Sequence, residues 1–403
     1  MRAVTMRVVA CLFTIVALFL TGDEPRASEV QEESEYEIVE LRGLGGTDAR
    51  ANSINEWGLA AGYSNQAGNP ARRAMVWVLG QPYELGDFGG PESNAVWPGQ
   101  SNTGLIVGIA QTRKPQTRLD GWSCRGFCTG PDATNYTCLG FAWEGGKMRR
   151  LQGLGGDNSF ATGANNFRQV VGWAETREVD DSCVNPTDRG FLAVLWDLND
   201  HRPMALPPYG NDRASAATAL NDRGQIVGIS GKCDQSIGRE SALHAVMWEN
   251  GTVKDLGSLG GVGWNTPTAI TQRGDIVVGF TNAPGASAAN PSFRAFLWTE
   301  RDNVCQRAPG TNMCDLGTLD QNGTNQAWSV NDRGQVVGTS CPPAGTCKAF
   351  LWENGVLKDL NALKGNFPHH LENAMEINNA GQISGRARKV TGERIAFVAT
   401  PLR

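Results

Sequence analysis

Asn331-Asp332-Arg333-Gly334-Gln335-Val336-Val337-Gly338 is the stretch that decides the fold, because the chain writes it seven times. NEWGLAAG ends at Gly62, SNTGLIVG at Gly108, NNFRQVVG at Gly172 and NDRGQIVG at Gly228; TQRGDIVVG ends at Gly279 and NNAGQISG at Gly385. The steps between closing glycines are 46, 64, 56, 51, 59 and 47 residues, the span of one four-stranded propeller blade with loops of varying length. Seven copies therefore predict an all-β, seven-bladed β-propeller.

Four strand-like pieces recur in each unit. A small-residue stretch such as Ala214 to Leu220 precedes the turn, and the short apolar run follows it. A third piece ends in tryptophan, at Trp77, Trp143, Trp196, Trp248, Trp298 and Trp352, with Ala396-Phe397-Val398 in the seventh unit. The fourth runs into LGDFGG, LQGLGG, LGSLGG or LGTLD, after which the chain crosses to the next unit. Asn-Asp-x-Gly at Asn221 and Asn331 suits a tight turn, since Asx side chains bond the nearby backbone and glycine tolerates positive φ. Asn250-Gly251 and Asn354-Gly355 carry the strongest short hairpin signal. The doublets Gly89-Gly90, Gly155-Gly156 and Gly260-Gly261 read as crossover geometry and not as phosphate cradles, as no GxGxxG or P-loop is present. Tyr36 to Gly45 matches a fourth strand with nothing of its own unit before it, and the chain stops after a third strand. The N-terminal strand is expected to pair with the C-terminal blade and close the ring, which removes two open sheet edges.

These units resemble the extracellular HAF repeat of bacteria, whose motif joins an Ala-Phe-Leu-Trp strand, an Asp-Leu-Gly-x-Leu-Gly-Gly stretch and an Asn-x-x-Gly-Gln-Val-Val-Gly hairpin. His244-Ala245-Val246 comes nearest to the naming tripeptide, while Arg73, Arg294 and Lys348 replace the histidine elsewhere. The resemblance covers about Tyr36 to Thr400; it implies export and a propeller-like fold and brings no catalytic residues with it. A kelch-like ring, which shares the glycine doublet and tryptophan, would imply the same architecture.

The chain has 403 residues, 50 glycines, 12 tryptophans and a formal net charge of -5. Without clustered Lys and Arg, a nucleic-acid backbone is not an expected partner. Arg2 and Arg7 precede an apolar stretch from Val8 to Leu20, short of the ~20 residues that span a bilayer, so residues 1–27 read as a signal peptide and 28–35 as a linker before a single propeller at 36–403. No membrane span is expected in the mature protein, and the expected location is secreted or periplasmic. Export makes disulfides the default for the nine cysteines after Cys11. Cys305 is expected to pair with Cys314 and Cys341 with Cys347; the partners of Cys124, Cys128, Cys138, Cys183 and Cys233 stay open, with one thiol left over. A zinc knuckle at Cys124, Cys128 and Cys138 is disfavoured because no histidine lies near.

Candidate chemistry sits in two long insertions on the face that also carries the glycine doublets. Ile109 to Leu139 holds Trp122, Phe127, Tyr136, Arg113, Lys114, Arg118 and Arg125; Trp173 to Gly190 holds Glu175, Glu178, Asp180 and Asp181. Trp122, Tyr136, Arg125 and Asp180 are the candidate ligand-binding residues, since loops on a rigid scaffold commonly bind. The opposite charges of the two insertions would also let adjacent blades dock them together. Asp180 lacks the regular spacing of a calcium loop, so no metal is assigned. The tryptophans at the ends of the third strands read as packing between blades. His201, His244, His369 and His370 sit in no catalytic motif, and carboxylates such as Asp180 or Glu376 carry no measurable spacing. The reading is a non-catalytic binding platform without cofactor, its partner a protein or a cell-surface glycan. The alternatives are a lectin-like propeller or a glycan-active hydrolase.

Overall fold

The computed structural model describes residues 35–116, 127, 136–184, 189–200, 202–235 and 238–402. Strand β1 is Tyr36–Leu41. The first blade holds β2 (Gly45–Ile54), β3 (Ala60–Gln66), β4 (Arg72–Val78) and β5 (Gln81–Glu84), and the second β6 (Gly89–Gln100), β7 (Ile106–Pro115), β8 (Tyr136–Glu144) and β9 (Lys147–Arg150). The third is β10 (Gly155–Ala164), β11 (Gln169–Val179), β12 (Arg189–Asp197) and β13 (Pro203–Leu206), and the fourth β14 (Ala214–Leu220), β15 (Ile226–Gly231), β16 (His244–Glu249) and β17 (Thr252–Gly257). The fifth is β18 (Thr266–Ile270), β19 (Val277–Asn282), β20 (Phe293–Trp298) and β21 (Met313–Asp315), and the sixth β22 (Thr324–Val330), β23 (Val336–Cys341), β24 (Lys348–Glu353) and β25 (Val356–Asp359). The seventh comprises β26 (His370–Ile377), β27 (Ile383–Arg388), β28 (Arg394–Pro401) and β1. Blades two to six are separate four-stranded sheets, while the seventh and first are joined by the parallel bridge Asp48/Arg394.

β1 pairs antiparallel with β28 from Tyr36 opposite Pro401 to Leu41 opposite Ala396, as the chain ends implied. The turns then link the blades around a full circle. Asn55 Nδ2 donates to Ser101 O at 3.4 Å, and Asn102 N to Asn166 Oδ1 at 2.8 Å. Asn165 Nδ2 donates to Asn221 O, Asn221 Nδ2 to Thr271 O, Arg273 N to Asp332 Oδ1 and Asn331 Nδ2 to Asn378 O. Asn378 Nδ2 returns to Asn55 O at 3.0 Å. The motif asparagine also accepts from its own turn and donates to the glutamine four residues on, as Asn331 does with Gln335 Oε1 at 2.7 Å. Asparagine at the first position and glutamine at the fifth are thus two halves of one network.

The closing glycine has a packing reason. Opposite it the innermost strand carries a bulge, for example between Ala327 and Ser329 of β22, which pushes a carbonyl toward the glycine. A Cβ on Gly338 would stand 2.1 Å from Gln326 O, and one on Gly172 1.9 Å from Phe160 O. The bulge residue turns its side chain to the next blade: Thr162 Oγ1 bonds Ala217 O at 3.0 Å, Thr218 Oγ1 bonds Pro267 O at 2.7 Å and Thr268 Oγ1 bonds Ala327 O at 3.0 Å.

The glycine doublets belong elsewhere than the sequence suggested. The fourth strands end earlier, at Glu84, Arg150 and Leu206 for example, and Gly45-Gly46, Gly89-Gly90 and Gly155-Gly156 open the next innermost strands. The first glycine of each doublet takes positive φ, and a Cβ on Gly90 would lie 2.6 Å from Thr112 O. The outer-strand tryptophans are interblade packing as expected: Trp77, Trp196 and Trp248 are buried and donate Nε1 to Arg42 O, Gln152 O and Pro207 O at 2.7–2.8 Å. Among the described residues no helix is long and apolar enough to cross a membrane. The expected signal peptide and most of the linker lie outside the described residues.

Candidate binding site

The innermost strands run from the doublet face to the turn face, so their side chains line a central channel with a mouth at each end. At the turn-face mouth the last strand residues Ile54, Ala164, Leu220, Ile270, Val330 and Ile377 surround a space of about 90 Å³ below the Asn turns. Glu376 points into it and accepts from Ile54 N at 2.7 Å. Loss of water there, with the Glu56 charge adding to it, pushes the Glu376 carboxyl up to about 8.

The doublet-face end is different. Trp97, Phe127, Phe160, Trp173, Trp264, Phe280 and Trp328 surround a cavity of about 250 Å³, floored by Thr162, Thr218, Thr266, Thr268 and Gln326. The rings brace one another: Trp97 packs edge-on to Trp328 with centroids 5.3 Å apart, Phe127 lies 4.3 Å from Phe160, and Phe280 lies 5.7 Å from Trp328. Trp328 is fixed further by Nε1 donating to Thr339 Oγ1 at 2.9 Å. The carbonyl of Phe127 accepts from Arg72 Nη1 and Asn94 Nδ2, both at 3.1 Å, which ties this aromatic to the first and second blades.

A charged cluster flanks the aromatic wall on blades one and seven. Asp48 is shared by Arg72 and Arg386, and Glu372 by Arg386, Arg388 and Arg394. The Arg50 guanidinium lies 5.7 Å from the Trp97 ring centroid and 5.4 Å from that of Tyr63. Burial, reinforced by repulsion from Arg386 and Arg72, pulls it down to about 10.

The sequence-derived site residues fare unevenly. Trp122 and Arg125 lie outside the described residues. Tyr136 is half-buried where β8 begins, opposite Pro115. Asp180 accepts from Ser182 N and Oγ at 2.9 and 2.5 Å, and these bonds hold its carboxyl below the usual range. Its neighbours Cys183 and Cys233 are bonded to each other, so their sulfurs are not thiolate ligands for a metal. The insertions are also shorter than they read: Ile109 to Pro115 belongs to β7 and Trp173 to Val179 to β11. Glu175 leaves the acidic group altogether; it is buried and accepts from Asp157 N and Asn158 N at 3.0 and 2.8 Å. Lys114 pairs with Asp157 at the start of β10 and not with the acidic insertion.

Cys305–Cys314 and Cys341–Cys347 are bonded as expected. Cys183–Cys233, left open by the sequence, ties the third blade to the fourth, and Cys138 is disulfide-bonded as well. His244 pairs with Asp212 at 2.8 Å and His370 with Cys347 O at 2.8 Å, structural contacts both. Sequence reading missed Trp97, Phe160, Trp264, Phe280, Trp328 and Arg50. The available signal was a bulky or charged residue in an innermost strand whose counterparts are small, as Trp328 in TNQAWSV stands against Thr218 in ASAATAL.

No protein-family model matches the chain, and no curated protein does. Solved structures do match in outline. An acylaminoacyl peptidase of Pyrococcus horikoshii is 10% identical with a TM-score of 0.45, over 91% of this chain and 52% of that one. A puromycin-hydrolyzing peptidase of Mycobacterium tuberculosis is 12% identical with a TM-score of 0.42, over 87% and 48%. TolB of Acinetobacter baumannii is 9% identical with a TM-score of 0.40, over 85% and 79%. The chain spans about half the length of the two peptidases. The propeller assignment rests on the sheets and the circle of links.

Proposed function

We propose that this chain is an exported, non-catalytic β-propeller built of HAF-like repeats, which binds a protein partner through the aromatic cavity at the doublet-face mouth of its channel. The carrying observation is the composition of that cavity. Seven aromatic rings converge on it, and none of the described residues lining it is ionisable, so the wall is suited to a desolvated apolar anchor. Export is supported by the disulfides, which persist in oxidising compartments. The loops beside the mouth belong to the blades with the longest insertions, so this face differs most from blade to blade, while the opposite turns are short and alike.

Binding of the apolar fluorophore N-phenyl-1-naphthylamine tests the site directly. Trp328→Ala is expected to weaken it at least tenfold, with folding verified by circular dichroism. Unaltered binding in this variant removes the cavity from the reading. Capture from surface extracts and a glycan array, each with wild type and the variant side by side, identify the partner class; signals on the array that depend on Trp328 would move the assignment to sugars.

A further inference from the structure

The cavity's chemistry also names what its occupant carries, an inference that rests on the reading of this cavity as the binding site. We infer that the site receives an apolar group bearing a carboxylate, with the apolar body between the aromatic walls and the carboxylate at the Arg50 guanidinium.

Position is the first argument. Arg50, Phe160, Thr266 and Gln326 occupy one tier of the channel, since the carbonyl of each lies against the closing glycine of its blade. Three of the four line the cavity, and Arg50 continues their tier on the first blade, beside the lining residue Trp97.

Unsatisfied donors are the second. Arg50 Nε donates to Asn52 Oδ1 at 2.5 Å, but among the described residues its two terminal nitrogens have no hydrogen-bond acceptor and no carboxylate within 4.0 Å. Asp48 and Glu372 are already taken by Arg72, Arg386, Arg388 and Arg394. Within the cavity itself Thr266, 6% exposed, has a hydroxyl without a partner. Arg50 is only half-buried, so solvent reaches it in the absence of a ligand, and its guanidinium suits a carboxylate because two parallel N–H groups meet two oxygens. Cation–π contacts with Tyr63 and Trp97, together with the Asn52 bond, orient the group before a ligand arrives. Crowding by Arg72 and Arg386, which lowers its affinity for a proton, is relieved by an incoming anion.

Such a carboxylate has two sources, the free C-terminus of a polypeptide ending in an apolar residue and a small free acid. The experiment uses matched pairs: acetyl-Ala-Ala-Phe with its C-terminal amide, and 1-naphthylacetate with 1-naphthylacetamide, titrated by calorimetry into the folded protein. The expected result is that at least one acid binds tenfold or more tighter than its amide, that Arg50→Gln reduces this preference to twofold or less, and that Arg50→Lys keeps part of it. Preference in the peptide pair alone marks a chain end, and preference in the naphthyl pair alone marks a small acid. Amides that bind as well as acids overturn the inference while leaving the cavity in place as the site. Binding by neither pair overturns both. Should Arg50→Gln fail to fold, Arg50→Lys in the same titration carries the test, with an acid preference reduced at least threefold because the paired N–H groups are lost; an unchanged preference in that folded variant refutes the inference.

Discussion

Gly338 shows how a single absent atom can hold a repeat together. Its Cβ would stand 2.1 Å from Gln326 O and 2.5 Å from the Phe350 ring, so Gly338→Ala forces the innermost strand off its bulge. Gly251, with positive φ and open space around it, has only the conformational cost. We expect Gly338→Ala to lose about 3 kcal/mol or more and Gly251→Ala about 1 kcal/mol in urea unfolding; equal losses would mean that the bulge gives way freely. Glu376 offers a pH-dependent counterpart. Its carboxyl is raised from the usual carboxylate range to about 8 by burial, so between those values the folded state holds a proton that the unfolded chain has released. The stability it contributes is complete below the ordinary carboxyl value and is lost as pH rises through about 8, by at most about 5 kcal/mol. Glu376→Gln, which still offers an oxygen to Ile54 N, should melt higher than wild type at pH 9 and the same at pH 4. A constant difference across pH would assign the change to packing.

Strand β1 and the disulfides carry the argument at the level of elements. β1 covers the outer edge of β28, with Tyr36 buried among residues of the sixth and seventh blades and Leu41 among those of the seventh and first. A chain lacking Tyr36–Leu41 should expose that edge and self-associate, visible as high-mass species in light scattering; a monodisperse monomer would show that the edge protects itself. Cys183–Cys233 closes a separation of 50 residues, against 9 and 6 for the other two pairs. In the chain-entropy model its removal costs about 4 kcal/mol against about 2.5 for either short loop, so Cys183→Ala/Cys233→Ala should lower the denaturation midpoint most. These strands were legible from the sequence because each blade repeats the same alternation and turn chemistry, and β1 betrayed itself as a fourth strand without a unit. The Cys183–Cys233 pairing was not, since a bond between insertions of different blades depends on how far β11 and β15 project, which no local pattern encodes.

Taken whole, the molecule is a circle whose repeated residues were readable and whose function lies in departures from the repeat. Asn221, Asn331 and Asn378 announce themselves by recurrence. The aromatic cavity does not, because Trp97, Phe160, Trp264 and Trp328 come from different blades and meet only once the ring is closed. The aromatics of the insertions drew attention for the usual reason that loops bind, and one of them, Phe127, does join the cavity, but the cavity's other rings come from the strands of the blades and the residues flanking them. Asn378→Ala removes the link that returns to the first blade as well as its own turn contacts, and Asn221→Ala the equivalent link in mid-chain. Both should cost about 2 kcal/mol by loss of buried hydrogen bonds. If the circle shares load evenly the two losses will agree; a much larger loss for Asn378 would locate the weak point at the seam.

The pairing of β1 with β28 also sets a timetable. β1 is made before any other strand of the ring and its partner is the last, so the strand must stay unpaired while every other blade is synthesised. Its sequence suits that wait: Glu37 and Glu40 interrupt the apolar residues, and their charge opposes stacking of one growing chain on another. Once β28 arrives, Glu40 meets Lys389 at 3.0 Å, and the charge that kept the strand apart becomes part of the join.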